Sequence, residues 1–301
     1  MNIVAWVVAV AIPLGLDLYL PVPDDNPLTR EKIELGRRLF RDRRLSEDGS
    51  ISCASCHVPG RAFADARPVA IGVGGRIGRR NVPAIINRAY GRAFSWDGRT
   101  TSLEEQVIRP IGDPLEMGST PEAAAGRLGI SVIELSQALA SYVRSTLAAN
   151  SPYDRYLNGE RSALSAEAVA GLQIFRGKGH CTACHIGPTF SDELFHNTGI
   201  AWDASAQALR DDGRFAVTGR KEDRGAFKTP TLREVARTAP YMHDGSLTRL
   251  ADVVDFYDGG GRENPGLDRE IRPLGLSRQD TRALVTFLRS LSGEVREGGL
   301  R

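Results

Sequence analysis

All four cysteines of this 301-residue chain fall in two pentads of one form, Cys53-Ala54-Ser55-Cys56-His57 and Cys181-Thr182-Ala183-Cys184-His185. On one helical turn, residues i and i+3 can each form a thioether to a single porphyrin, and an imidazole at i+4 can reach its iron as proximal ligand. A structural zinc site could use two Cys pairs, but it has no need of a His directly after each. With five His in the whole chain, two at those positions by accident is remote. A thioredoxin-like redox pair sits singly in a βαβ setting, which is absent, and disulfides would not impose the duplication. The spacing predicts two covalent c-type haems.

The elements that must carry these pentads are themselves duplicated. Ala138-Leu139-Ala140-Ser141-Tyr142-Val143-Arg144-Ser145 near the end of the first half matches Ala283-Leu284-Val285-Thr286-Phe287-Leu288-Arg289-Ser290 near the end of the second. In both, apolar residues recur at helical spacing, which predicts an amphipathic helix with one buried face. Gly36 to Phe40 and Gly171 to Phe175 share Gly-x-x-x-Phe ahead of each Cys motif. Ser165, with Glu167 two residues on, reads as a helix N-cap. Strand signals are sparse, and 32 Gly with 16 Pro imply long ordered loops. The expected fold is mostly α, with two cytochrome c-like haem domains over residues 17–155 and 156–301.

Hydrophobic residues at 41% and charged residues at 25% are ordinary for a globular chain and exclude a disordered one. A net charge of +2 gives no argument for a nucleic-acid partner. Residues 1–16 are expected to be a signal-like apolar segment, too short for a membrane span of about 20 apolar residues; a packed N-terminal arm is the alternative. No later segment could span a membrane. Because c-type haems are attached outside the bacterial cytoplasm, the pentads add to the expectation of export to the periplasm.

With these motifs, several further stretches carry a resemblance. They include Arg80-Asn81-Val82-Pro83-Ala84, Phe94-Ser95-Trp96-Asp97-Gly98-Arg99, Leu115-Glu116-Met117-Gly118, Phe227-Lys228-Thr229-Pro230-Thr231-Leu232-Arg233 and Ala239-Pro240-Tyr241-Met242-His243-Asp244-Gly245. From about Asp17 to Gly293 the chain resembles the di-haem bacterial cytochrome c peroxidase family, including its MauG-like branch. The resemblance implies two cytochrome c-like domains, a peroxide-reactive N-terminal haem, an electron-relaying C-terminal haem and one calcium ion between them.

Carried over by position, Cys53, Cys56 and His57 would hold the first haem, and Cys181, Cys184 and His185 the second. Trp96 matches the residue between the haems. Asn81, Thr238 and Pro240 match the calcium ligands, neutral oxygens that suit a hard cation. Gln106 and Glu116 match the pocket over the first haem, where peroxide cleavage needs a proton acceptor and donor; Glu116 would be that group and Gln106 would orient the peroxide.

Two positions depart from the ordinary peroxidase pattern. The His that closes the resting first haem is replaced by Val73, which cannot ligate iron, so that site is expected to be open. The second haem's further ligand falls fourteen residues after His243, at Tyr257, as in MauG-like members. Without the family, Met242 would be the default, with His196 or an open site as the remaining choices. His180 and His196 otherwise read as loop residues.

The leading functional expectation is an exported enzyme that reduces hydrogen peroxide with electrons from a small donor protein, a cytochrome c or a cupredoxin. The alternative is a MauG-like oxidase that modifies side chains of a protein substrate by long-range electron transfer. The position that carries a surface Trp in MauG is Gly179 here, which weakens that alternative.

Overall fold

A computed structural model describes residues 10–299. Five longer helices frame it: α1 (Arg30–Leu39), α2 (Val132–Arg144), α3 (Ala166–Arg176), α4 (Leu250–Asp258) and α5 (Arg278–Arg289). Hydroxyl caps start four of them: Thr29, Ser131, Ser165 and Ser277 each accept a backbone N–H of the first turn. Ser165 thus caps α3 as its sequence suggests, with its Oγ 3.1 Å from Ala168 N. The rest is single helical turns and long loops, and the sheets among the described residues are two-stranded. The class is mostly α.

The sequence repeat has a packing cause. α1 lies across α2, and α3 lies across α5. At both crossings the helices touch backbone to backbone at a glycine: a Cβ on Gly36 would land on the Ala138 carbonyl, and one on Gly171 on the Ala283 carbonyl. The phenylalanine four residues on then reaches the partner helix. Phe40 meets Tyr142, and Phe175 meets Phe287, each with ring centroids 5.1 Å apart. A third ring completes each cluster from beyond the Cys motif, Phe63 on Tyr142 and Phe190 on Phe175.

Two apolar cores result, one drawn from residues 39–148 and the other from residues 153–291. The chain then crosses back. Strand β1 (Leu147–Ala149) pairs antiparallel with β2 (Glu294–Arg296), in the register Leu147 to Arg296 and Ala149 to Glu294. The last strand therefore sits on the first half. Of the segment expected to be signal-like, residues 1–9 lie outside the described residues. Residues 10–16 run as an arm, with Val10, Ile12 and Leu16 packed near Leu147 and Ala149, and Leu14 O accepting from Asn150 N at 2.8 Å. Among the described residues no helix is long and apolar enough to cross a membrane.

Candidate active site

A cavity of about 1280 Å³ runs between the halves, beyond the roughly 300–1,000 Å³ of an ordinary small-molecule pocket. Both Cys pairs, His57, His185, Asn81, Trp96, Gln106, Glu116, Thr238, Pro240 and Tyr257 line it. Chain order alone would scatter them over 200 residues; the two helix crossings and the loops that follow bring them together.

The first Cys pair lies on a helical turn, Cys53–Cys56, closed by reciprocal Ser52 and Ser55 contacts, and Cys181–Ala183 forms a 3-10 turn. Neither pair is a disulfide. Burial pushes Cys53 and Cys181 each up to about 12, an environment opposed to the thiolates of a zinc site or a reactive redox pair. The four sulfurs do not converge on one another among the described residues.

Both histidines are prepared alike. His57 Nδ1 lies 3.1 Å from Phe63 O, and His185 Nδ1 lies 2.8 Å from Phe190 O. Burial lowers both pKa values, so each ring is neutral. A neutral imidazole that donates from Nδ1 to a carbonyl keeps its lone pair on Nε2, the state of a metal ligand with its outer hydrogen bond made. Phe63 and Phe190 both take left-handed backbone, at φ +61° and +53°, in loops that fold back toward the histidine.

Above the first pentad, Glu116 and Gln106 are held differently. Gln106 Oε1 accepts from Thr100 Oγ1 at 2.7 Å and Ser95 Oγ at 3.0 Å, which leaves its NH2 as the free donor. The Glu116 carboxyl has no hydrogen-bond partner among the described residues. Burial, and then the charge of Asp113, push it up to about 7. Val73 is buried outside the cavity lining, and its N–H donates to Glu116 O at 2.7 Å.

Trp96 ties the halves: its Nε1 donates to Asn81 O and its carbonyl accepts from Lys228 N, both at 2.8 Å. Asn81 N donates to His243 O at 2.7 Å, while Asn81 Nδ2 donates to Arg67 O and Pro68 O. Its Oδ1, with the Thr238 and Pro240 carbonyls, has no protein donor among the described residues. The intervening Ala239 carbonyl is taken by Arg61 at 2.9 Å. These neutral oxygens suit a hard cation completed by water.

Around the second pentad, Tyr257 lines the cavity from α4 together with Val253 and Val254, and among the described residues its hydroxyl has no partner. Burial, then the Cys184 and Cys181 sulfurs, raise its pKa. Met242 lines the same cavity in left-handed backbone at φ +72°. His196 lies in a short strand (Phe195–His196) rather than in a loop. Both its nitrogens are engaged, Nδ1 with Asp268 at 2.6 Å and Nε2 with Asp192 at 2.9 Å. The nearby Cys184 sulfur and the hydrogen bonds to Asp268 and Asp192 push it up to about 10, and with each nitrogen held by a carboxylate neither is free for iron. His180 stands partly exposed against Glu270.

Comparison with known proteins gives the family. The family described as di-haem cytochrome c peroxidase (CCP_MauG) matches residues 30–162. The methylamine utilization protein MauG of Methylorubrum extorquens is 39% identical over 295 residues, covering 91% of this chain and 82% of that one. This chain belongs to the di-haem cytochrome c peroxidase family. Cytochrome-c peroxidase IdrP1 of Denitromonas iodatirespirans is 37% identical over 324 residues, covering 93% and 86%. A solved MauG-like protein associated with microbial copper homeostasis superposes with a TM-score of 0.85 at 35% identity, over 94% of this chain and 96% of that one.

Members of this family are di-haem oxidoreductases, and the residues present fit two haems: two equivalent pentads, each with a neutral histidine braced at Nδ1, on one cavity large enough for both. Sequence reasoning missed the carbonyls of Phe63 and Phe190. Their only signal is a phenylalanine a few residues beyond each pentad.

Proposed function

We propose that this di-haem oxidoreductase reduces hydrogen peroxide at the site around His57 and Glu116, with electrons relayed through the half that carries His185. The supporting observation is Glu116, a cavity-lining carboxyl without a hydrogen-bond partner among the described residues and with its pKa near 7. Cys53, Cys56 and His57 would hold one haem; Cys181, Cys184 and His185, with Tyr257 as a further ligand, would hold the other. The haems supply the iron that takes up, stores and passes on electrons.

The chain's own residues do the rest. Glu116 as carboxylate takes the proton of the incoming peroxide and returns it to the departing oxygen. The Gln106 amide, with its oxygen fixed by two hydroxyls, donates to the peroxide and orients it. Trp96 stands between the halves as a polarisable bridge. Two electrons and two protons convert each peroxide to two waters. The donor is a small cytochrome c or cupredoxin. Residues 17–155 and 156–301 make up the two haem domains, with the strand Glu294–Arg296 crossing back onto the first; calcium at Asn81, Thr238 and Pro240 joins them, and the protein works in the periplasm.

A second reading, a MauG-like oxidase acting on a protein substrate, is favoured by Tyr257. Burial keeps that phenol protonated until a cation displaces the proton, and an anionic oxygen ligand favours the ferric and higher states.

The test uses the fully ferric holoenzyme. Electron paramagnetic resonance is expected to give one high-spin and one low-spin haem, and peroxide is expected to be consumed with reduced cytochrome c or cupredoxin without prior activation. Inertness until reduction contradicts the open first site. Oxidation of a protein substrate without donor turnover selects the second reading. In Tyr257→Phe the low-spin signal alone is expected to change; an unchanged signal rules Tyr257 out and makes Met242 the next candidate.

A further inference from the structure

Arg233 is a long charged side chain only 2% exposed, and neither Glu116 nor the electron path uses it. Its guanidinium makes three short contacts in three directions, besides a longer one from Nη1 to Ser151 Oγ at 3.4 Å. Nε donates to Pro188 O at 2.8 Å, Nη1 to Asp154 Oδ2 at 2.6 Å, and Nη2 to Gly15 O at 2.8 Å. Its plane also lies over the Phe190 ring, 5.3 Å from the centroid.

Pro188 and Phe190 belong to the loop that returns from the second pentad, and Phe190 O is the acceptor of His185 Nδ1. Phe190 is held in left-handed backbone, so the direction of that carbonyl depends on the loop keeping its shape. Arg233 grips this loop twice, at a carbonyl two residues before the acceptor and at the acceptor's own ring. The grip is fixed from behind by Asp154, itself buried, and by the N-terminal arm. Gly15 has φ +98°, and a Cβ there would overlap the Asp154 carboxylate, so the arm is shaped to this contact.

Among the described residues the first pentad has no buried arginine of this kind: Arg67, which donates to Ser55 O at 3.3 Å and pairs with Asp65, is 39% exposed. The first pentad's return loop closes through Val58 and Ala64, with Phe63 N donating to Val58 O at 3.0 Å. The nearest counterpart, Arg237 on Gly60 O at 3.1 Å, is solvent-exposed.

We propose that Arg233 is a positioning residue for His185. Through Pro188 and Phe190 it sets the hydrogen bond on His185 Nδ1, and so the ligand strength of that histidine toward the second haem, with the Gly15 arm completing its shell. This rests on the two-haem reading above. A metal-bound histidine is sensitive to its outer partner, whose loss commonly changes affinity or activity 10–100-fold.

The test is Arg233→Lys and Arg233→Gln in the full-length holoprotein, read by haem content, electron paramagnetic resonance and a redox titration of each haem. Two covalent haems are expected in both variants. The low-spin signal and potential of the second haem should shift, more in Gln than in Lys, while the high-spin signal of the first stays in place. Gln leaves Asp154 buried without its cation, so Arg233→Met/Asp154→Leu removes both charges together, and it should shift the second haem likewise. An unshifted second haem overturns the proposal. So does an equal change at both haems, or loss of folded protein in all three variants, since either makes Arg233 general scaffold. A parent protein with fewer than two covalent haems defeats the two-haem reading instead.

Discussion

Glu116 titrates where a reaction with peroxide can report it. Burial and Asp113 raise its pKa from 4.5 to about 7, against a smaller lowering from Arg99. As the proton acceptor it must be ionised, so the rate with peroxide is expected to rise with pH through about 7 and level above it. Glu116→Gln should flatten that limb and lower the rate by about 10²–10⁴-fold with both haems retained, as stopped-flow mixing over pH 5–9 would measure. The same shift has the opposite sign for folding. Between 4.5 and about 7 the native state holds a proton that the unfolded chain has lost, so this group's contribution to stability falls as pH rises across that window and is constant above it. At this scale the sequence was legible where chemistry needs a residue type: the pentads could be read from spacing alone, while Glu116 and Tyr257 needed the family's register. The acceptors on His57 and His185 could not be read, because any residue has a carbonyl and only the fold aims it.

Helices α2 and α5 were foreseen by their periodicity and the start of α3 by its Ser165 cap, but the reason for the shared glycine of α1 and α3 emerges only from the crossings. Gly36 and Gly171 are where one helix meets the backbone of its partner, and a carbonyl cannot yield as a flexible side chain can. Gly36→Ala and Gly171→Ala should each destabilise the protein by about 1–3 kcal/mol, the usual cost of overpacking. Thermal melts of the holoprotein would register the loss. An unchanged melting temperature would mean that the helices slide apart freely. The two-residue strands, by contrast, left no pattern to find: a period of two cannot be recognised over Phe195–His196 or Phe227–Lys228.

Across the whole molecule, the halves are joined by more than the cavity. Arg80 contacts Asp97 at 2.6 Å on its own side and Asp211 at 2.7 Å on the other. β2 returns to lie on β1, whose residues Leu147, Ala148 and Ala149 are wholly buried. Glu297 accepts from Tyr142 Oη at 2.8 Å and pairs with Arg41. A chain ending at Gly293 should therefore loosen the first half selectively, with faster amide exchange in α1 and α2 and little change in α3 and α5. Equal exchange in all four helices would contradict it. A linear reading assigns residues near the C-terminus to the nearer unit, so this crossing was invisible in the sequence.

The crossing also orders events in time. Residues 294–296 follow β1 by about 145 residues, so the edge of β1 stays unpaired until that whole stretch has emerged. The first Cys pair is then carried by an unfinished half until that strand arrives, while residues 153–291 precede it and can already close upon their own core. The half made first is the half completed last.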